Sequence, residues 1–194
     1  MRPYLFAALF IFLNACNNSI PEKKVTQDNT DTVQERPSFI PVTAYIKGQI
    51  FEIKQKGLAP KKYTTINNHT DSVLIKLDTI EGILAAYLHP EIDSVNLVAF
   101  FTETKFLDKS IEAFTFTYDP KPGIPDSIPL LHWDVYVEPE THKVKRVYIV
   151  KKIEGNKTQQ LTWQSNQWCK TTTIINNPDG TSAVEKEEKI SWDY

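Results

Sequence analysis

His132 and Asp134 lie two residues apart in the run Leu130-Leu131-His132-Trp133-Asp134-Val135, which reads as a strand. Alternate side chains of a strand share a face, so the carboxylate could orient the imidazole for base chemistry while Trp133 faces the other way. Nucleophilic catalysis would also need a serine or cysteine beside that base, and the sequence places none there. A partly exposed polar face is the simpler expectation. The four histidines, His69, His89, His132 and His142, show neither the i,i+2 nor the i,i+4 spacing of a ligand pair, so no metal or other cofactor is expected. There is no G-x-S-x-G elbow, no H-E-x-x-H helix and no phosphate-cradling glycine loop, and the whole chain holds only six glycines. Cys169 follows Trp168 in a strand-like run and is expected to be a small buried hydrophobe. A reactive thiol would need a cation or base at its side, and in a strand Lys170 points to the opposite face.

Trp133, Trp163, Trp168 and Trp192 fall in four different strand-like runs. Large rings so distributed are expected to fill a core between sheet and helices, each contributing a few kcal/mol by burial (about 1.5–3 for a large apolar side chain). The functional alternative is an aromatic-lined cleft that takes an apolar ligand. Lys143, Lys145, Arg146, Lys151 and Lys152 make a basic strand, and Glu138, Glu140 and the run Glu185 to Lys189 offer opposite charges. Cross-strand ion pairs on a solvated face are expected there, each worth less than about 1 kcal/mol. The formal net charge of −2 gives no reason to expect nucleic acid as a partner, which wants a concentrated basic surface.

These residues must be carried by a body of strands and two helices. Phe39, Val42, Ile46, Ile50 and Ile53 recur at three and four residues, which predicts a helix over Phe39 to Lys56 with Ser38 as cap, Pro41 in the first turn and Gly57 at the exit. Lys62 to Leu77 reads as a hairpin turning at Asn67 to Asp71. A second helix is expected from Asp78, with Glu81 completing a capping box and Pro90 at the end. Leu97 to Phe101 is apolar without a period and fits either a helix extension or a strand. Phe114, Phe116 and Tyr118 alternate with threonines, and further strands follow at Leu130 to Val137, Lys143 to Ile153, Lys157 to Gln164, Gln167 to Ile175 and Ala183 to Trp192. Their short connections force antiparallel neighbours. The expected fold is α+β: two helices packed on a mainly antiparallel meander of about seven to nine strands, or a half-open barrel of the same strands. The proline-rich stretch 119–129 is the one internal boundary the sequence offers.

The amino terminus supplies an address. Arg2 precedes an apolar run from Tyr4 to Leu13, too short to span a bilayer and of the length of a secretory signal. It ends in Leu13-Asn14-Ala15-Cys16, which resembles the lipobox of bacterial lipoprotein precursors, although Asn14 departs from the small or aliphatic residue usual there. The resemblance implies cleavage after residue 15, acylation of Cys16 and a membrane partner reached through that anchor. Cys169 would then have no disulfide partner. Residues 17–36 are polar and of mixed charge, as expected of a flexible tether, and residues 37–194 would form a single globular domain. Asn17 stands where an aspartate favours inner-membrane retention in the best-studied Gram-negative bacteria, and no acidic run follows. The expected location is the outer membrane, facing the periplasm. Asp31-Thr32-Val33, Asp71-Ser72-Val73, Asp78-Thr79-Ile80, Asp93-Ser94-Val95 and Asp126-Ser127-Ile128 resemble the acceptor motif for O-glycosylation of exported proteins in the Bacteroidota. The simpler expectation is that these dipeptides punctuate turns and helix starts.

The sequence therefore leads to a non-enzymatic envelope lipoprotein that binds or scaffolds, with a protein or an apolar ligand as partner. Two alternatives stand beside it. One is a carrier or sensor of an apolar ligand held by the four tryptophans. The other is a hydrolase of envelope polymers working through His132 and Asp134.

Overall fold

A computed structural model describes residues 39–192, which belong to one compact unit. The signal sequence, Cys16, the tether and Ser38 lie outside the described residues, and the first helix starts at Val42 with Pro41 as its N-cap, later than the start at Phe39 that a Ser38 cap would give. The elements are α1 (Val42–Gln55), β1 (Lys61–Ile66), β2 (His69–Leu74), α2 (Ile80–Ile83), α3 (Ala85–Leu88), β3 (Phe101–Asp108), β4 (Ala113–Pro120), β5 (Leu130–Val137), β6 (Val144–Ile153), β7 (Lys157–Gln164), β8 (Trp168–Asn176) and β9 (Ser182–Ser191).

All nine strands join one antiparallel sheet in the order β2-β1-β9-β8-β7-β6-β5-β4-β3. The sheet does not close, and β2 and β3 are its two edges. From β3 to β9 every neighbour in space is the neighbour in sequence, as short connections dictate. The early hairpin β1–β2 then adds beside the last strand, with Lys61 opposite Ser191 and Thr65 opposite Glu187. The fold is thus mainly β, with a thin helical cover. The strands that flank the stretch 119–129 pair directly, Tyr118 opposite Trp133.

α1 buries the expected stripe, Val42, Ile46, Ile50 and Ile53, together with Phe39 just before it. Its exit is a Schellman turn: Leu58 N–H donates to the Ile53 carbonyl (3.2 Å) and Gly57 N–H to that of Lys54 (3.1 Å). Gly57 is left-handed at φ 59°, where a side chain would be strained. Three side chains fasten α1 to its surroundings. Thr43 Oγ1 accepts from Ile92 N–H (2.8 Å), Gln49 Oε1 accepts from Asn166 N–H (2.9 Å), and Tyr45 Oη donates to the Val144 carbonyl (3.2 Å).

The second expected helix exists only as two single turns, α2 and α3. The ladder breaks at Leu84 (φ −92°, ψ 8°), and His89 is extended, as a residue before proline prefers. The Asp78 capping box is not formed. Thr79 is the N-cap, makes no side-chain cap, and donates its hydroxyl back to the Lys76 carbonyl (2.9 Å). The β1–β2 turn is tighter than expected, because Asn67 and Asn68 both adopt positive φ (50° and 63°) and close a two-residue loop. Residues 97–100 form turns and β3 begins at Phe101. Among the aspartate motifs, Asp93 Oδ1 accepts from the N–H groups of Val95 and Asn96, a turn, whereas Asp71 to Val73 lie within β2.

Candidate functional site

The alternation of the strands sorts the candidate residues onto two faces. The inner face, under the helices, carries Trp133, Val135, Val147, Ile149, Leu161, Trp163, Cys169 and Ile190, all buried. Trp133 lies between Phe101 (centroids 4.4 Å apart), Phe39 (5.6 Å) and a stacked Tyr118 (4.7 Å, planes 11° apart). A second cluster joins Trp163 to Tyr87 (5.4 Å) and Trp192 (5.1 Å). Trp168 takes no part: its ring is on the outer face, with Lys189 Nζ 5.2 Å from its centroid. Three of the four tryptophans therefore lie in the inner-face core, Trp133 in one cluster and Trp163 with Trp192 in the other, and the fourth does not. Its neighbour Cys169 is 1% exposed, beside Tyr87, and burial pushes its thiol up to about 12, so it has no thiolate character.

Lys151 also belongs to the inner face and is 7% exposed. Its Nζ donates to the carbonyls of Ala86 (2.6 Å) and His89 (2.9 Å), the uncapped end of α3. Burial lowers its pKa. The expected cross-strand pairing of the basic strand is thereby corrected. Among the described residues, Lys143, Lys145, Arg146, Lys151 and Lys152 form no ion pair, and the glutamates of β9 pair instead with Lys62, Lys157, Lys170 and Lys186. The reason is position: β6 lies between β5 and β7, whose facing residues are uncharged there, while β9 lies between β8 and β1.

The outer face holds the chemistry. His132 is clamped between two carboxylates, Nδ1 at 2.8 Å from Asp119 Oδ1 and Nε2 at 3.0 Å from Asp134 Oδ2. Asp134 is itself 8% exposed, and it accepts further bonds from Thr117 Oγ1 (2.6 Å) and Tyr136 Oη (3.2 Å). Burial on its own would lower the pKa of His132, but hydrogen bonds and charge from both carboxylates outweigh it and the net shift is upward. The imidazolium satisfies both acceptors at once, which the neutral ring cannot do. A triad histidine turns one nitrogen to a carboxylate and keeps the other for a nucleophile; here both nitrogens are engaged.

This clamp has a pH signature. The folded-state pKa lies above the ordinary 6.5, so its contribution to stability is complete below that value and is lost as pH rises through the folded-state pKa. Urea unfolding over a pH series should show this loss in the parent protein and a flatter profile in His132→Asn. Superimposable profiles would refute the clamp.

Beside the clamp, Arg146 stacks its guanidinium on the Tyr136 ring, 4.1 Å from the centroid. Two concavities meet at this pair. One, of about 210 Å³, is lined by Ile111, Tyr136, Lys145, Arg146 and Gln164. The other, of about 330 Å³, is lined by Asp134, Tyr136, Arg146, Tyr148 and Thr162. Burial, followed by the charge of Asp134, raises the pKa of both tyrosines, so they are neutral hydroxyls. Of this set, sequence reasoning found only His132 and Asp134. Arg146, Tyr136 and Tyr148 were legible as alternate residues of their strands, but the register that faces Tyr136 to Arg146 and Asp134 to Tyr148 could not be read from one strand at a time.

His69 and His142 lie at exposed turns or strand ends, and His89 at the end of α3. Among the described residues no three histidine, cysteine or acidic side chains are grouped to hold a metal ion, and no helix is long and apolar enough to cross a membrane. Compared with known proteins, the chain matches no family model, no curated protein and no solved structure. The class is therefore defined by its own geometry: an open nine-stranded antiparallel meander, covered by short helices on one face and bearing a polar, aromatic cluster on the other.

Proposed function

We propose that this chain is a lipid-anchored protein of the bacterial cell envelope that acts by binding, with the outer face of the sheet as its binding surface. Cys16 would carry the acyl chains and hold the body to the outer membrane on the periplasmic side, the polar segment 17–36 serving as tether. The observation that carries the reading is the division of labour between the faces. Packed rings occupy the inner face around Trp133 and Trp163, whereas the outer face presents an arginine without an acidic partner among the described residues, between two concavities. The double engagement of His132 supports binding over hydrolysis.

A second reading, the carrier of an apolar ligand, is favoured by a concavity of about 310 Å³ that reaches Phe39 and Phe101 at the margin of the first ring cluster. The indole N–H groups of Trp133 and Trp163 are also buried with no protein acceptor. Native mass spectrometry of the protein extracted from membranes separates the two. A binding platform is expected at the mass of polypeptide plus covalent lipid. An additional noncovalent lipid-sized mass would replace the platform by the carrier.

A further inference from the structure

Resting on the outer face as the binding surface, we infer that the Arg146 site takes an acidic saccharide, a chain of pyranose rings bearing carboxylates. The lining is the first argument. Arg146 and Lys145 supply cations, Thr162 and Gln164 supply a hydroxyl and an amide, and Tyr136 and Tyr148 supply ring faces with phenolic edges. Only Ile111 is aliphatic, so the site lacks the apolar sockets that anchor peptide side chains. A polyol has what this lining asks for: hydroxyls that both donate and accept, and a CH face that packs on an aromatic ring.

The second argument is the arginine. Its guanidinium lies over the Tyr136 ring, 4.1 Å from the centroid, and forms no ion pair with a carboxylate among the described residues. A carboxylate meets a guanidinium fork with two parallel charge-assisted hydrogen bonds. The oxygens of Asp134 in the floor are already taken by Thr117, Tyr136 and His132, so they are not free to compete for the arginine.

The third argument is spacing. Thr117, Asp134, Tyr148 and Thr162 face one another across β4, β5, β6 and β7, and Tyr136, Arg146 and Gln164 form the adjoining row. Neighbouring strands lie about 4.8 Å apart, close to the length of one pyranose ring. An extended saccharide laid across the strands meets a new side chain at each sugar.

Calorimetric titration of the protein with short oligogalacturonides tests this, with the carboxyl-reduced neutral oligosaccharide and inorganic phosphate as comparison ligands. Saturable binding is expected for the acidic chain, at least about tenfold weaker binding for the neutral one, and only weak competition from phosphate. Arg146→Gln should weaken the acidic ligand by about tenfold or more, with Arg146→Lys between the two, and Tyr148→Ala should weaken acidic and neutral chains alike. Thermal melts of the variants report that folding is intact. Absence of oligogalacturonide binding overturns the saccharide assignment. So does phosphate binding as tight as the saccharide, which would leave a simple anion site. Neutral-chain binding that Tyr148→Ala abolishes and Arg146→Gln spares would keep the outer face as the binding surface and reject the acidic ligand. Binding that neither variant alters would reject both.

Discussion

Trp133→Ala is expected to destabilise the fold by about 3–5 kcal/mol, the range for removing a large buried aromatic ring. The side chain is fully buried and joins three elements: the segment leading into α1 through Phe39, β3 through Phe101 and β4 through Tyr118. Removing it leaves a space that none of these rings can fill without moving its own backbone, so the cavity cost adds to the lost transfer energy. Edge-to-face and stacked ring pairs add about 0.5–1.5 kcal/mol beyond area alone. Trp168→Ala is the control, since that ring lies half-exposed against Lys189 on the other face and should cost no more than about 1 kcal/mol. Urea midpoints for the two variants measure the difference. Equal losses would remove the distinction between a buried Trp133 and a surface Trp168.

Cys16→Ser should abolish incorporation of labelled palmitate and release the protein from the membrane fraction. The apolar run ahead of it is too short to serve as a permanent span, and no helix among the described residues can take its place. One acyl chain binds a bilayer only marginally, so lasting attachment depends on the multiple acylation that the lipobox resemblance implies at this one sulfur. Labelling and fractionation unchanged by the substitution would remove the envelope placement and leave the binding face to be explained without it.

Most of the sheet was legible because each strand of the second half is bounded by its own turn residues. The runs expected at Leu130, Lys157 and Gln167 begin within one residue of the strands observed. α1 was legible from its stripe and from Gly57. The helix expected after Asp78 was over-read: Ile80, Ile83, Leu84, Tyr87 and Leu88 have helical spacing, yet only Ile80, Leu84 and Tyr87 are buried, and two separate turns suffice to bury them. The candidate site was half legible. The pairing of His132 with Asp134, and that of Tyr136 with Asp134, follow from a period of two within one strand, whereas Asp119 and Arg146 reach the site through the register between strands. Lys151 misled for the same reason. Its charge suggested solvent, but its place in the alternation with Val147 and Ile149 turns it inward, where the loose carbonyls of α3 receive it.

The insertion of β9 between β1 and β8 has a consequence for how the chain is made. A polypeptide delivered amino terminus first can zip β3 through β8 progressively, each new strand meeting the one just formed. The β1–β2 hairpin, although delivered first, has no seat until the final strand arrives to bridge it. Premature termination ahead of Ser182 would therefore cost three strands of sheet, not one, together with Ile190 and Trp192 from the interior. Such a fragment would offer β8 as a bare, unprotected rim, a template for pairing with another chain that β9 covers in the finished sheet.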